Sequence, residues 1–323
     1  MDPAFDKTNV SVDWTTGRVY ASVSRKDTSP DQILLRYADA ACSSWSPTVA
    51  VGNGWPSGLQ VGYGDMLVAD AALDEDALLT DPVQVYVSFD RGLSFSSLSS
   101  PGLMAGDDLL LTCAGCAEGD DGCGLLAETP PRPVLYASSW PGVAASWFRT
   151  GPDSDYRHVL VSAMARSDFS LAFRYIVRAC NPTCSWTSWS AESSLAGGSD
   201  LYASPAVDVV ENDVQGARFQ TFATWYAKSA SGDAYDVFVN LGTLPQPPDT
   251  GGAITWGASH MLTSVASNLA ETQREANIRH MGHHRFSRGG RGLHTHPIWI
   301  DTRDSLGVNL ATTYTTFITP VLW

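Results

Sequence analysis

Short runs rich in Val, Tyr or Trp recur along this chain with turn residues between them. They group into units of about fifty residues. Residues 10–14, 18–24, 32–37 and 46–51 fill the first unit. Each run is short, and many alternate apolar with small polar side chains, the period of a half-buried strand. No window carries a persuasive amphipathic helix; 262–278 comes nearest and reads as a short helix or a long loop. The composition agrees, with 11 Trp, 11 Tyr and 11 Phe, 28 Gly and 18 Pro in 323 residues, and only 17% charged residues. Aromatic and β-branched side chains with frequent turn formers favour pleated sheet over helix.

Two internal echoes set the period. Leu34-Leu35-Arg36-Tyr37, followed by Cys42-Ser43-Ser44-Trp45-Ser46, returns as Ala172-Phe173-Arg174-Tyr175, followed by Cys184-Ser185-Trp186. An Asp after a hydrophobic strand recurs at Val12-Asp13, Ala69-Asp70 and Val207-Asp208. The units then fall near 8–52, 58–101, 105–150, 156–195, 200–258 and 276–323. Four strands per unit of about fifty residues is the period of a propeller blade. The expectation is an all-β chain, a six-bladed β-propeller in a single domain over 6–323. Residues 1–5 read as an expression-derived start, with no charged segment followed by an apolar one as in a signal peptide.

Charge excludes two partner classes. Acidic residues number 34 against 20 basic, giving net −14. Without a Lys/Arg run there is no footprint for nucleic acid or an anionic membrane. No stretch of about eighteen apolar residues occurs, so no helix is expected to span a bilayer. The six cysteines, Cys42, Cys113, Cys116, Cys123, Cys180 and Cys184, are an even count that fits an exported protein, secreted or periplasmic. Cys180 and Cys184 flank an Asn-Pro turn and are the easiest pair. The other four leave three connectivities open, and Cys113, Cys116 and Cys123 also allow a zinc site.

Ser88-Phe89-Asp90-Arg91-Gly92-Leu93-Ser94-Phe95 matches S-x-D-x-G-x-x-[W/F], the Asp box or BNR repeat. In it the Asp caps backbone amides, the Gly takes a positive φ, and the last aromatic plugs the blade edge. The stretch Gly289-Gly290-Arg291-Gly292-Leu293-His294-Thr295-His296-Pro297-Ile298-Trp299-Ile300-Asp301-Thr302-Arg303 resembles the closing blade of bacterial Asp-box propellers, and 6–20 resembles their opening blade. The chain therefore resembles the sialidase-like Asp-box propeller family. That resemblance implies an exported protein with a site at the mouth of a central channel. It does not imply sialidase chemistry, because the family's Arg-Ile-Pro motif is absent and Arg36, Arg174 and Arg303 read as structural.

Candidate site residues come in three sets. Asp13, Asp70 and Asp208, at what read as corresponding blade positions, are candidate catalytic carboxylates, since a glycosidase needs two facing each other; the alternative is that each caps a turn. Trp55 and Trp225, with Arg285 and Arg303, are candidate ligand contacts, because exposed aromatics stack on sugar faces; of Trp55, Trp140, Trp147, Trp225 and Trp256 most read as packing between blades, and the sequence does not pick out the exposed minority. Five of the seven histidines, His280, His283, His284, His294 and His296, fall within seventeen positions. Pairing across a turn at 287–292 brings His280, His284, His294 and His296 together as ligands for Zn²⁺, Cu²⁺ or Fe²⁺, with His284 and His296 as candidate catalytic groups. A polar ligand pocket and surface histidines stay open as alternatives. The acidic loops 118–122 and 153–155 read as solvated. The expected function is glycan or polar-ligand binding or turnover at the channel mouth by a monomer. The alternatives are a metal-dependent enzyme using 280–296 and a non-catalytic interaction scaffold.

Overall fold

The computed structural model describes residues 5–13, 15–62, 66–72, 80–106, 110–111, 134–136, 142–149, 156–166, 168–180, 183–196, 198–212, 218–232, 234–245, 251–263, 266–268, 280–281, 298–301 and 312–315. These residues contain strands and turns but no helix. The first sheet is an antiparallel meander of β1 (Phe5–Val12), β2 (Val19–Arg25), β3 (Gln32–Ala38) and β4 (Val49–Asn53). The second runs β5 (Trp55–Val61), β6 (Leu67–Ala72), β7 (Thr80–Ser88) and β8 (Ser96–Ser97), with β9 (Met104–Gly106) also on β7. After β10 (Leu110–Leu111) and β11 (Val134–Tyr136) comes the third, β12 (Gly142–Arg149), β13 (Tyr156–Ala165), β14 (Leu171–Cys180) and β15 (Cys184–Trp186), with β16 (Ser193–Leu195) on β14. The fourth runs β17 (Asp200–Asn212), β18 (Arg218–Ser229), β19 (Ala234–Thr243) and β20 (Thr255–Trp256), with β21 (His260–Met261) and β22 (Ser267–Asn268) also on β19. Last come β23 (His280–Met281), β24 (Ile298–Asp301) and β25 (Thr312–Thr315).

The four meanders stack face to face in chain order. Tyr20, Ile33 and Leu35 of the first sheet pack on Leu59, Leu67, Ala69 and Tyr86 of the second. Val159, Val161, Phe173 and Tyr175 of the third pack on Val207, Phe219, Ala223 and Trp225 of the fourth. Middle strands are covered on both sides, so both parities are apolar. In β13 the Val159, Val161, Ala163 set meets the fourth sheet while Leu160 and Met164 meet the second. This is why β13 and β14 read as nearly continuous hydrophobic runs rather than alternating ones.

The six-unit tiling does not hold at its third member. Met66, Val68, Val85 and Val87 lie directly against Val143, Leu160 and Ile176, and Val83 and Leu103 against Met164 and Ala172. No sheet stands between the second and third meanders. Gly142–Arg149, expected in the 105–150 unit, is instead the first strand of the third sheet, paired with β13 from Gly142↔Ala163 to Arg149↔Tyr156.

The Arg-Tyr echo has a structural basis, in a different frame. The Tyr37 amide donates to Ser46 Oγ at 3.0 Å, and the Tyr175 amide donates to Ser190 Oγ at 3.0 Å. Trp45-Ser46 therefore corresponds to Trp189-Ser190, with Trp186-Thr187 as a further copy in which Thr187 Oγ1 accepts from the Val177 amide at 3.1 Å. In each a hydroxyl takes the place of a ladder carbonyl where the outer strand leaves its neighbour.

The 88–95 turn joins the third and fourth strands of the second sheet. Ser88 Oγ accepts the Gly92 amide at 2.8 Å and donates to Asp90 Oδ1 at 2.7 Å. The same Asp90 oxygen accepts the Leu93 and Ser94 amides, both at 3.0 Å. Burial alone would raise the Asp90 carboxyl, but these bonds hold it below its ordinary value. Gly92 has φ +80°, and a Cβ there would lie 3.0 Å from the Leu35 side chain and 3.2 Å from that of Leu67, so it would be both strained and crowded. Phe95 packs on the cluster between the first two sheets. Cys180 and Cys184 form a disulfide across the β14–β15 register. Cys42 is exposed and is not disulfide-bonded; Cys113, Cys116 and Cys123 lie outside the described residues.

Candidate functional site

A four-stranded meander returns the chain to one end before each new first strand, so β1, β5, β12 and β17 all start at the same end. Local bonds tie that end together. The Gly54 amide, just before β5, donates to the carbonyl of Asp31 in the β2–β3 turn at 2.8 Å. The Tyr202 amide of β17 donates to the Phe169 carbonyl in the β13–β14 turn at 2.9 Å. Adjacent first strands touch one another, and Gln60 of β5 bridges two of them: its Oε1 accepts the Ala145 amide of β12 at 3.0 Å.

The strand-start end of the third and fourth sheets gathers charge. Arg166, following β13, pairs with Glu192. Asp168 Oδ1 accepts the Ser170 amide at 3.0 Å and its hydroxyl at 2.6 Å. The Ser170 hydroxyl and amide hold Asp168 ionised below the usual carboxylate range. Asp200 opens β17, directly after the turn at Gly198, whose φ is +64°. Two residues on, Tyr202 is partly buried, its ring 5.3 Å from that of Trp225. Burial, then the Asp200 charge, pushes its phenol above its ordinary value. Trp55, the first residue of β5, belongs to the same end by its place in the strand. None of Arg166, Asp168, Glu192, Asp200 or Tyr202 is singled out by sequence reasoning. The available signal was positional: polar residues flanking the first strands at turns of one parity.

The other predicted residues scatter. Asp13 follows β1 at the opposite end. It accepts the Thr15 amide at 2.9 Å and the Thr15 and Thr16 hydroxyls, each at 2.6 Å. Burial alone would raise this carboxyl, and those bonds bring it below its ordinary value. This is the turn-capping alternative. Asp70 sits inside β6, paired with Val85 and Gly58, so it is in a second strand and not a first. Asp208 lies within β17, 5% exposed, with Oδ1 accepting the Val209 amide at 2.9 Å. The three Asp thus do not share a blade position. Trp225 is fully buried, between the rings of Tyr202 and Phe238, a packing position. The far face of the fourth sheet also buries Lys228 completely, beside the Tyr226–Tyr235 ring pair.

Of the histidine cluster the structure describes His280, which pairs in parallel with Val134 of β11; β24 pairs with β25. His283, His284, His294, His296, Arg285 and Arg303 lie outside the described residues, as do both acidic loops.

No family model matches the sequence, and no curated protein matches it. Solved structures align with it at low identity. An α-L-arabinanase of Penicillium chrysogenum, complexed with arabinobiose, is 11% identical over 98% of this chain and 79% of its own, with TM-score 0.49. The GH93 α-L-arabinofuranosidase of Fusarium graminearum, with arabinobiose, is 10% identical over 98% and 94%, with TM-score 0.45. A Cellvibrio cellulosa α-L-arabinanase with arabinohexaose is 12% identical over 98% and 92%, with TM-score 0.36.

Proposed function

We propose that this protein is an exported propeller that binds or acts on a glycan or similar polar ligand at the strand-start mouth of its central channel. The observation that carries this reading is the convergence of first-strand starts from successive sheets on one end. Asp200 and Tyr202 lie there beside the Arg166–Glu192 pair and Asp168. Carboxylates and a phenol at a multi-strand opening offer acceptors and donors for sugar hydroxyls, with an aromatic edge for a ring face. The direct packing of second on third sheet supports a ring of fewer than six blades. The Cys180–Cys184 disulfide supports an oxidising compartment.

Titration calorimetry against a panel of neutral and acidic oligosaccharides, arabinobiose among them, tests the reading. Asp200→Asn with Tyr202→Phe is expected to weaken binding at least tenfold, roughly 1.4 kcal/mol, without moving the melting temperature. A wild-type protein that binds none of the panel, or a variant that binds equally well, ends the proposal.

The clustering of five histidines supports a second reading, a metal centre at 280–296. Elemental analysis of protein purified without a histidine tag or metal column is expected to find about one equivalent of Zn, Cu or Fe, lost on changing His284 and His296 to Ala. Folded wild-type protein free of these metals ends that reading.

A further inference from the structure

We propose that Arg174 and Ser162 form an oxyanion-binding site in the seam between the second and third sheets, away from the channel mouth. The two residues are direct cross-strand partners on β14 and β13, so their side chains share the face turned toward the second sheet. Ser162 is fully buried, and its hydroxyl has no hydrogen-bond partner. The Arg174 Nε is shut off from solvent and equally unpartnered. The guanidinium makes no hydrogen bond or ion pair with any described residue. A guanidinium offers five N–H donors in a rigid fork suited to a carboxylate, sulfate or phosphate. Buried donors left open in this way call for a ligand, ion or water that satisfies them.

The internal repeat supplies a comparison within the same chain. Arg36 occupies the equivalent place in the first sheet, before the tyrosine whose amide bonds the outer-strand serine. Its Nε donates to the Ser46 carbonyl at 2.8 Å. Arg174 makes no such bond to Ser190. It is instead flanked by the 98–103 segment of the second sheet. There the exposed Gly102, at φ +68°, sets its backbone beside the guanidinium; a Cβ on it would lie 3.5 Å from Nη1. Ser100 Oγ accepts the Gly102 amide at 3.1 Å and donates to the Val83 carbonyl, fixing that segment as a wall. Trp189 Nε1 of the third sheet donates to the Ser99 carbonyl at 2.6 Å, a further tie between that sheet and the segment. Gly102 is itself exposed, so the guanidinium lies next to a solvent-facing turn.

The test is calorimetric titration of sulfate into the full chain, with galacturonate and galactose as further arms, all at constant ionic strength set with NaCl. Sulfate is expected to bind at one site and to raise the melting temperature. Arg174→Gln is expected to lose at least tenfold in affinity and Ser162→Ala several-fold. Arg36→Gln is expected to bind as the wild type does. Galacturonate binding with no response to galactose assigns the site to a sugar carboxylate, while sulfate binding alone assigns it to a free inorganic anion. If Arg174→Gln does not fold, Arg174→Lys keeps the charge without the fork and is expected to weaken sulfate measurably. No saturable sulfate or galacturonate binding by the wild type, or equal affinity in the wild type and the Arg174 and Ser162 variants, overturns the proposal.

Discussion

Replacing Trp225 with alanine is expected to cost about 3–5 kcal/mol of stability, the range for emptying a buried aromatic site. Trp225 is fully buried in β18 within the interface between the third and fourth sheets. Its ring lies 5.3 Å from that of Tyr202 and is stacked 6.1 Å from that of Phe238. Alanine leaves a cavity that two rigid sheets cannot close. Trp225→Phe keeps most of the ring contact and removes an indole N–H that has no acceptor, so it is expected to cost less than half as much. Urea unfolding followed by circular dichroism reads both. An alanine variant as stable as the wild type would show that the two sheets do not depend on this contact.

Acid is expected to destabilise the fold partly through His158, starting above the range where carboxylates titrate. His158 is 2% exposed in β13, 6.1 Å edge-on from Phe89. Arg178 is its cross-strand partner and sits 3.9 Å over the same Phe89 ring. Burial first, then the Arg178 charge, lowers its pKa from 6.5 to about 4. Between those values the unfolded chain takes up a proton that the folded chain refuses, so stability falls as pH drops from about 6.5 to about 4. A shift of this size corresponds to roughly 3 kcal/mol at full extent. Comparing urea midpoints at pH 7.5 and pH 4.5, the wild type is expected to lose about 2–3 kcal/mol more than His158→Gln. Parallel pH profiles for the two proteins would mean that the imidazole is protonated in the fold.

The two residues illustrate different degrees of legibility. Turns could be read because their chemistry is local. Ser88, Asp90, Gly92 and Ser94 lie within seven positions and satisfy one another, and Asp13 with Thr15 and Thr16 does the same. The Cys180–Cys184 pair was legible for that reason too. The burial of Trp225 could not be read, because a tryptophan in a strand looks the same in sequence whether its face is covered or open. The three Asp residues read as equivalent from their neighbours in the chain, yet they fall after a first strand, inside a second strand and inside a first strand. Arg36 and Arg174 share the same dipeptide and the same amide–serine bond, and differ in what faces the guanidinium.

What the sequence determined by itself was the all-β character, the order of strands and turns, and the recurrence of a four-stranded unit. Period-two patterning and turn residues act over a few bonds, so short windows carry them. Only the tertiary structure decided which sheet covers which face, that β12 opens the third sheet, and that the second sheet meets the third with nothing between. Strand parity offers two equivalent faces. The choice between them, and with it whether an Arg, His or Trp becomes wall, core or site, rests on a neighbour dozens of residues away.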